Sequence, residues 1–493
     1  MDRSKLPLYA ILVIYVAYSL TGIDSPWSMG HHGCVGGEKS RPAIYYLDLG
    51  YTTTKLGQVA SKDPSMCVTS LDYNVDHPAG LPLLISLSFQ AFGISEAAAR
   101  ATIVVSNIAM ICFFYLFVKE YWNNKLAFLA TLTMVITPMF FYIRSFTSTE
   151  VFSMMFICGL LYMYVKWLKT GSEKLFWTSV VFFFIGAVFS DWWVYPVPFL
   201  MMAHSWLSKK PKKFRKLLIF IPIAALAMAV YIGHMWLLTG SLIGNGSHWG
   251  SLLDRLLFRL NLDQASQQYN ITPLALTKAI LESCMRYYNP LLFSLAVIYI
   301  ATTLVRIRKG VDERDLLVVL LFAMAVAILY AFSNITWIHD FFVLFFLPSV
   351  SLAAASVMAR ALGSGKRSVV FYIILLLIVA ASSYGTYKDI YSWSTTSDDL
   401  VKFMHDHDGS FIFTFNESPD YQQFGFYTDW RNIACADSIS QMNGIDFTKF
   451  NYIVTSAGGT DASLASYLES KFGARSQIIY NAYTNQNYTV YLV

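Results

Sequence analysis

The chain has 493 residues, of which 56% are hydrophobic, 16% aromatic and only 14% charged, with a formal net charge of +5. This composition excludes an ordinary soluble protein, and the small basic excess, gathered at the ends of apolar runs, leaves no nucleic-acid footprint. Apolar stretches long enough for the roughly 30 Å hydrocarbon layer recur from Leu6 to Tyr384, and they must be helices because backbone groups facing lipid need internal partners.

The first apolar run, Leu6 to Gly22, follows Met-Asp-Arg-Ser-Lys without a small-residue cleavage site, so it reads as an uncleaved signal anchor with a cytoplasmic N-terminus. Basic loops set the remaining topology. The clearest is Lys209 to Lys216, with six positive charges in eight residues; Arg306 to Lys309 and Arg360 with Lys366-Arg367 follow, and Lys119 to Lys125 and Lys166 to Lys174 are weaker. Placing these loops inside gives eleven spans, near 6–22, 98–118, 126–142, 151–167, 175–190, 193–206, 217–238, 286–305, 315–333, 341–359 and 368–386, with the C-terminus outside. The run Leu81 to Phe92 is too short to cross and is expected to lie in the interface or re-enter. All five Asn-x-Ser/Thr sequons, at Asn245, Asn270, Asn334, Asn416 and Asn487, fall in segments read as external.

The expected architecture is therefore mainly α: a polytopic transmembrane helical bundle over 1–390, with a long first external loop (23–97) carrying interfacial helices. Past Tyr384 the pattern changes to short β-type runs such as Phe411 to Phe415 and Tyr452 to Thr455, alternating with helical stretches such as Ala462 to Phe472. Residues 391–493 thus read as a small external α/β domain. Of six cysteines, Cys112 and Cys158 sit inside spans, and Cys34 with Cys67 is the first choice for a disulfide that is allowed rather than required. No zinc spacing, Walker loop, GxSxG elbow, HExxH or dinucleotide fingerprint occurs; no cofactor is called for, and the need for a divalent cation is left open.

Ionisable groups at a bilayer are expensive and mark candidate sites, and here they collect on the face opposite the basic loops. The first external loop holds Asp24, the pair His31-His32 between glycines, Glu38, and Asp76-His77-Pro78 leading into an apolar run. For any one of these the bland reading is a solvated loop charge. Arg144 and Glu150 bracket the next external turn; Glu150 there is either a charge favoured by the helix dipole or a functional carboxylate. Asp191 stands beside Trp192-Trp193, where aromatics alone would be only an interfacial belt, and His339-Asp340 opens the tenth span.

In their order along the chain these segments resemble the dolichyl-phosphate-mannose:protein mannosyltransferase superfamily, which includes bacterial aminoarabinose transferases and the wider class of polytopic glycosyltransferases using lipid-linked sugars. The resemblance rests on Ala43 to Gly50, Asp76 to Leu84, Phe92-Gly93 through Arg100, Arg144 to Glu150, Asp191-Trp192 with Pro196, and His339 to Phe342 followed by Leu347-Pro348. It covers roughly residues 1–360. It implies an integral membrane enzyme of a plasma or ER-type membrane. Such an enzyme takes a sugar from a polyprenyl-phosphate donor, mannosyl-like and with inversion, to a protein, lipid or glycan acceptor on the non-cytoplasmic side. Members commonly place Asp, often Asp-Glu, early in the first loop as acid/base, whereas this chain has Gly30-His31-His32-Gly33-Cys34 there, with Asp24 before and Glu38 after. The expected roles are Asp24 or Glu38 as base assisted by His31 or His32, Arg144 and His339 on the phosphate, and Glu150, Asp76, His77 and Asp191 around sugar and acceptor. A transporter or flippase of a lipid-linked substrate and a catalytically silent scaffold are the alternatives. Buried polar groups at mid-span would mark the first, and failure to bind any polyprenyl phosphate the second.

Overall fold

The computed structural model describes residues 6–27, 31–62, 71–243, 251–262, 271–307, 310, 312–361, 373, 377, 379–385, 388, 399–407, 409–414, 426, 433–436, 438–456, 460–481 and 486–493. Among these, five helices are long and apolar enough to cross a membrane: Glu96–Tyr121, Thr149–Thr170, Pro211–Thr239, Glu313–Ala331 and Asp340–Arg360. Leu6–Ser19 and Asn124–Val135 are shorter apolar helices at the places of the first and third expected spans. The third expected span breaks because Pro138 cannot continue the ladder; Thr137 caps a fresh helix, Pro138–Ile143, by accepting from Phe140 N. The eighth expected span begins late. Asn289 lies in left-handed conformation at φ 66°, and helix Pro273–Tyr288 turns by 118° there into Pro290–Arg306. The expected last span falls largely outside the described residues.

Of these five, helices Thr149–Thr170 and Asp340–Arg360 are the most enclosed, with 78% and 94% of their apolar windows buried, and Glu96–Tyr121 packs along the first of them. Helix Phe220–Thr239 is largely exposed on an apolar surface, as a lipid-facing helix must be.

The first external loop is more structured than its composition suggests. Helix His31–Leu49 contains Gly33, Gly36, Gly37 and Pro42, residues that disfavour a helix. Packing overrides them: Trp27 is buried with its ring on Gly36, where an added Cβ would lie 2.3 Å from it. A hairpin follows, β1 (Gln58–Lys62) antiparallel to β2 (Leu71–Asn74), with Gln58 opposite Asn74. Helix Gly80–Phe92 has 13 residues; at 1.5 Å per residue it is about 20 Å long, too short to cross. Cys67 of the favoured disulfide lies outside the described residues, as do sequons Asn245, Asn270 and Asn416.

The C-terminal region holds a five-stranded sheet of order β4-β3-β5-β7-β6, from β3 (Phe411–Phe413), β4 (Ile433–Cys435), β5 (Tyr452–Ser456), β6 (Ser476–Asn481) and β7 (Gln486–Leu492). Pairing of β3 with β4 and β5 is parallel, while β7 is antiparallel to β5 and β6. Side chains alternate along each strand, so Phe411, Phe413, Val454 and Val490 share a cluster with Tyr45, Val59 and Tyr73 of the first loop, while Ile412, Ile453 and Tyr491 pack on helix Ala462–Phe472.

Candidate active site

The site is organised around five residues, Val75 to Ala79, between the hairpin and helix Gly80–Phe92. Side chains from distant elements grip four successive backbone carbonyls: Tyr231 Oη donates to Val75 O, Trp192 Nε1 to Asp76 O at 3.2 Å, and Gln58 Nε2 to His77 O at 2.5 Å and Pro78 O at 3.0 Å. The amide of Asp76 in turn donates to Asn74 Oδ1 at 2.9 Å. A loop with every carbonyl satisfied has little freedom, so the side chains of Asp76 and His77 are presented rigidly. Helix Gly80–Phe92 then starts hard against the end of helix Glu173–Phe189: a Cβ on Gly80 would sit 2.1 Å from Phe189 O.

That contact brings His77 to Asp191. Asp191 is fully buried and spends both oxygens: Oδ2 accepts from Thr149 Oγ1 and from His77 Nδ1, each at 2.9 Å, and Oδ1 accepts from Trp192 N at 2.8 Å as the cap of a short 3₁₀ turn. Burial pushes its carboxyl pKa up, but the neighbouring His77, the hydrogen bond to it, Arg259 and the Trp192 amide together hold it below the usual range. Three donors, Thr149 Oγ1, the Trp192 amide and His77 Nδ1, favour the ionised carboxylate. On its other side, His77 Nε2 lies 3.4 Å from an Arg259 guanidinium nitrogen.

His77 faces a cavity of about 220 Å³ of water-accessible space, with Glu38, Asp76, Glu150, Arg255, Arg259 and His339 as its charged and titratable lining. Arg255 and Arg259 project from helix Leu252–Arg259 four residues apart, hence from one face, and approach Asp76 Oδ2 at 3.5 and 3.8 Å. Among the described residues, none hydrogen-bonds the buried Asp76 Oδ1. Glu38 Oε1 accepts from Lys39 at 2.7 Å and from Asn74 at 3.2 Å; burial raises its pKa, yet Lys39, aided by His77 and Arg41, keeps it below the ordinary value. Glu150 sits in the first turn of its helix, capped by Ser148, so a charge favoured by the helix dipole also lines the cavity. At the far wall, His339 Nδ1 meets His31 Nε2 at 3.3 Å. Burial, reinforced by His31, depresses His339 to about 3, and burial lowers His31 as well, so both are neutral at pH 7.

The structure thus gathers Glu38, Asp76, His77, Glu150 and His339 around one cavity, with Asp191 behind His77 and His31 behind His339. Three expectations are corrected in position. Asp24 is exposed and is not part of the cavity lining, because Trp27 rather than Asp24 turns inward after the first helix. His32 is buried between Tyr142 and Phe146, with ring centroids 4.6 Å away on each side. Arg144 donates to Thr21 O at 3.0 Å and Phe141 O at 3.4 Å, tying the end of the first helix to the turn at 144 instead of reaching the cavity.

The cations beside Asp76 are Arg255 and Arg259, which the sequence reading missed. The signal was present in Leu252-Leu253-Asp254-Arg255-Leu256-Leu257-Phe258-Arg259, an amphipathic run opened by a Ser251/Asp254 capping box. Asn334, read as a sequon, is fully buried and donates to Phe258 O at 3.0 Å, anchoring the arginine-bearing helix. Among the described residues, no group of three or more His, Cys, Asp or Glu is placed to hold a metal ion.

Beside the polar cavity lies an apolar groove of about 880 Å³, lined by residues of Gly80 to Phe92, Ala101 to Ala109, Phe152 to Phe156, and Ile185 with Phe189. Groove and cavity border the same two junctions, Asp76 to Gly80 and Glu150 to Phe152, and Phe189 of the groove lies two residues before Asp191, the partner of His77.

Residues 76–237 match the family described as dolichyl-phosphate-mannose-protein mannosyltransferase. This stretch begins at Asp76-His77 and takes in Glu150 and Asp191. The match is confined to this stretch, about a third of the chain. Similarity of fold extends further. The crystal structure of ArnT from Cupriavidus metallidurans bound to undecaprenyl phosphate aligns over 99% of this chain and 98% of that one, at 9% identity and a TM-score of 0.64. The archaeal oligosaccharyltransferase AglB from Archaeoglobus fulgidus, in complex with an inhibitory peptide and a dolichol-phosphate, aligns over 100% of this chain and 75% of its own, at 13% identity and a TM-score of 0.51. No curated protein matches the chain significantly.

Proposed function

We propose that this chain is a membrane glycosyltransferase that moves a sugar from a polyprenyl-phosphate donor to an acceptor hydroxyl on the non-cytoplasmic face. The observation that carries this reading is the adjoining of an apolar groove and a small charged cavity along the same two chain junctions. A lipid-phosphate sugar has that same division: a hydrocarbon tail for the groove, and an anionic phosphate with a sugar for the cavity. Arg255 and Arg259 are the cations for the phosphate, whose negative charge grows as the sugar departs, so their attraction is strongest in the transition state. Glu38, Asp76 and Glu150 supply hydrogen-bond acceptors for sugar hydroxyls. His339, neutral, supplies a ring that can pack on or hydrogen-bond the sugar. The family match over residues 76–237 makes mannose the first sugar to test and single displacement with inversion the expected course; the acceptor is a protein, lipid or glycan hydroxyl.

The test uses purified full-length protein in lipid nanodiscs, a dolichyl- or undecaprenyl-phosphate mannose labelled in the sugar, and a simple alcohol or peptide acceptor. Transfer or release of labelled sugar is expected, falling by about 10²-fold or more in Arg259→Gln and Glu150→Gln. Turnover unchanged in both variants would refute these assignments, and movement of intact donor across a bilayer with no sugar lost would favour the transport reading.

A further inference from the structure

The glycosyl-transfer reading leaves open which group takes the proton of the attacking hydroxyl. Resting on that reading, we propose that His77 Nε2 is the proton acceptor and that Asp191 is the residue that positions it.

The two neighbours of the imidazole fix its tautomer independently. A guanidinium has donors only, so Arg259 at 3.4 Å requires an unprotonated Nε2. An ionised carboxylate has acceptors only, so Asp191 at 2.9 Å requires a proton on Nδ1. Both demand Nδ1–H and a lone pair on Nε2, the nitrogen beside Arg259. Thr149 and the Trp192 amide lock the Asp191 carboxylate, and Gln58 with Trp192 locks the backbone on either side of His77. Asp191 thus holds the imidazole through Nδ1, and Arg259 has only to swing from Nε2 to the donor phosphate for the lone pair to face the acceptor hydroxyl.

Of the competing carboxylates, Glu38 is paired with Lys39, and Asp76 Oδ2 faces both Arg255 and Arg259. Imidazoles in water are, besides, stronger bases than carboxylates by about 2 units. Glu150 is the remaining rival, and chemical rescue separates it: added imidazole is expected to restore turnover in His77→Ala and not in Glu150→Gln.

Charge also balances. The acceptor O–H proton moves to Nε2 as the oxygen lone pair forms the new bond to the sugar's anomeric carbon. The bond from that carbon to the phosphate oxygen breaks, and its electron pair stays on the phosphate. The phosphate gains one negative charge while His77 gains one positive charge, stabilised by Asp191 through Nδ1–H. A carboxylate base would instead lose its charge and leave the new phosphate charge to the arginines alone. The proton passes to water when the products leave.

The experiment measures sugar transfer by the full chain in nanodiscs for His77→Ala, Asp191→Asn and Glu150→Gln, alongside binding of the bare polyprenyl phosphate and the thermal midpoint of each. His77→Ala is expected to lower kcat by about 10²–10⁴-fold with lipid-phosphate binding changed only a few-fold, and added imidazole is expected to restore part of the rate. Asp191→Asn is expected to lower kcat as well, because an amide donating toward Nδ1 reverses the tautomer. Full activity in His77→Ala overturns the proposal. So does a loss that imidazole does not rescue in a folded, lipid-binding variant, since His77 would then only hold structure. A wild-type protein that transfers no sugar sinks the glycosyl-transfer reading itself and is distinguished by that control.

Discussion

Gly80→Ala tests whether the junction of two helices positions the site. The added methyl would lie 2.1 Å from the Phe189 carbonyl oxygen, 2.7 Å from its carbon and 2.8 Å from its Cβ. Ordinary carbon–oxygen contact needs about 3.2 Å, so one backbone must retreat by about 1 Å; overpacking of this kind costs about 1–3 kcal/mol. Neither partner is a flexible side chain: Gly80 opens one helix and Phe189 closes another. His77 lies just before the first and Asp191 just after the second, so the retreat stretches their 2.9 Å hydrogen bond beyond bonding range. A misplacement of about 1 Å lowers turnover by about 10²-fold. The assay is labelled-sugar transfer in nanodiscs, with the thermal midpoint measured on the same samples. Turnover and thermal midpoint both equal to wild type would show that the two helix ends are not in contact, and the site geometry built on that contact would fall with it.

Two further perturbations separate structural from functional charges. Arg144→Ala leaves Thr21 O without its donor and is expected to destabilise the protein by about 1–3 kcal/mol while lipid-phosphate affinity is unchanged; weakened affinity in folded protein would return Arg144 to the phosphate. His339 predicts acid sensitivity. Its folded value is about 3, whereas an unfolded histidine titrates near 6.5, so between these pH values only the unfolded chain binds the proton. Its stabilising contribution is complete above about 6.5 and is lost as pH falls toward 3, at about 1.4 kcal/mol per pH unit. Chemical denaturation across that window should be shallower in His339→Phe, with His31 still contributing in the same direction; an identical slope in the variant would exclude the buried imidazole as its source.

Much of the site was legible in the sequence because its residues are costly where they stand. Glu38, Asp76, His77, Glu150, Asp191 and His339 are polar groups at the margins of apolar runs, and six such groups do gather within one neighbourhood. What failed was the sorting of neighbours. Arg144 and Glu150 lie on the same short turn and look equivalent, yet one faces backbone carbonyls and the other the cavity. Arg255 and Arg259 were overlooked because their helix is short and lies in a segment that read as a loop, although their spacing puts both on one face.

The sequence by itself determined the solvent: a chain this apolar must fold as lipid-spanning helices, and the margins of its spans must hold whatever chemistry it performs. Only the tertiary structure decided which marginal residues meet. His77 finds Asp191 across 114 positions and His31 finds His339 across 308. Such pairings depend on close approaches like Gly80 on Phe189, set by side-chain volume and helix termini, and local periodicity carries no record of them.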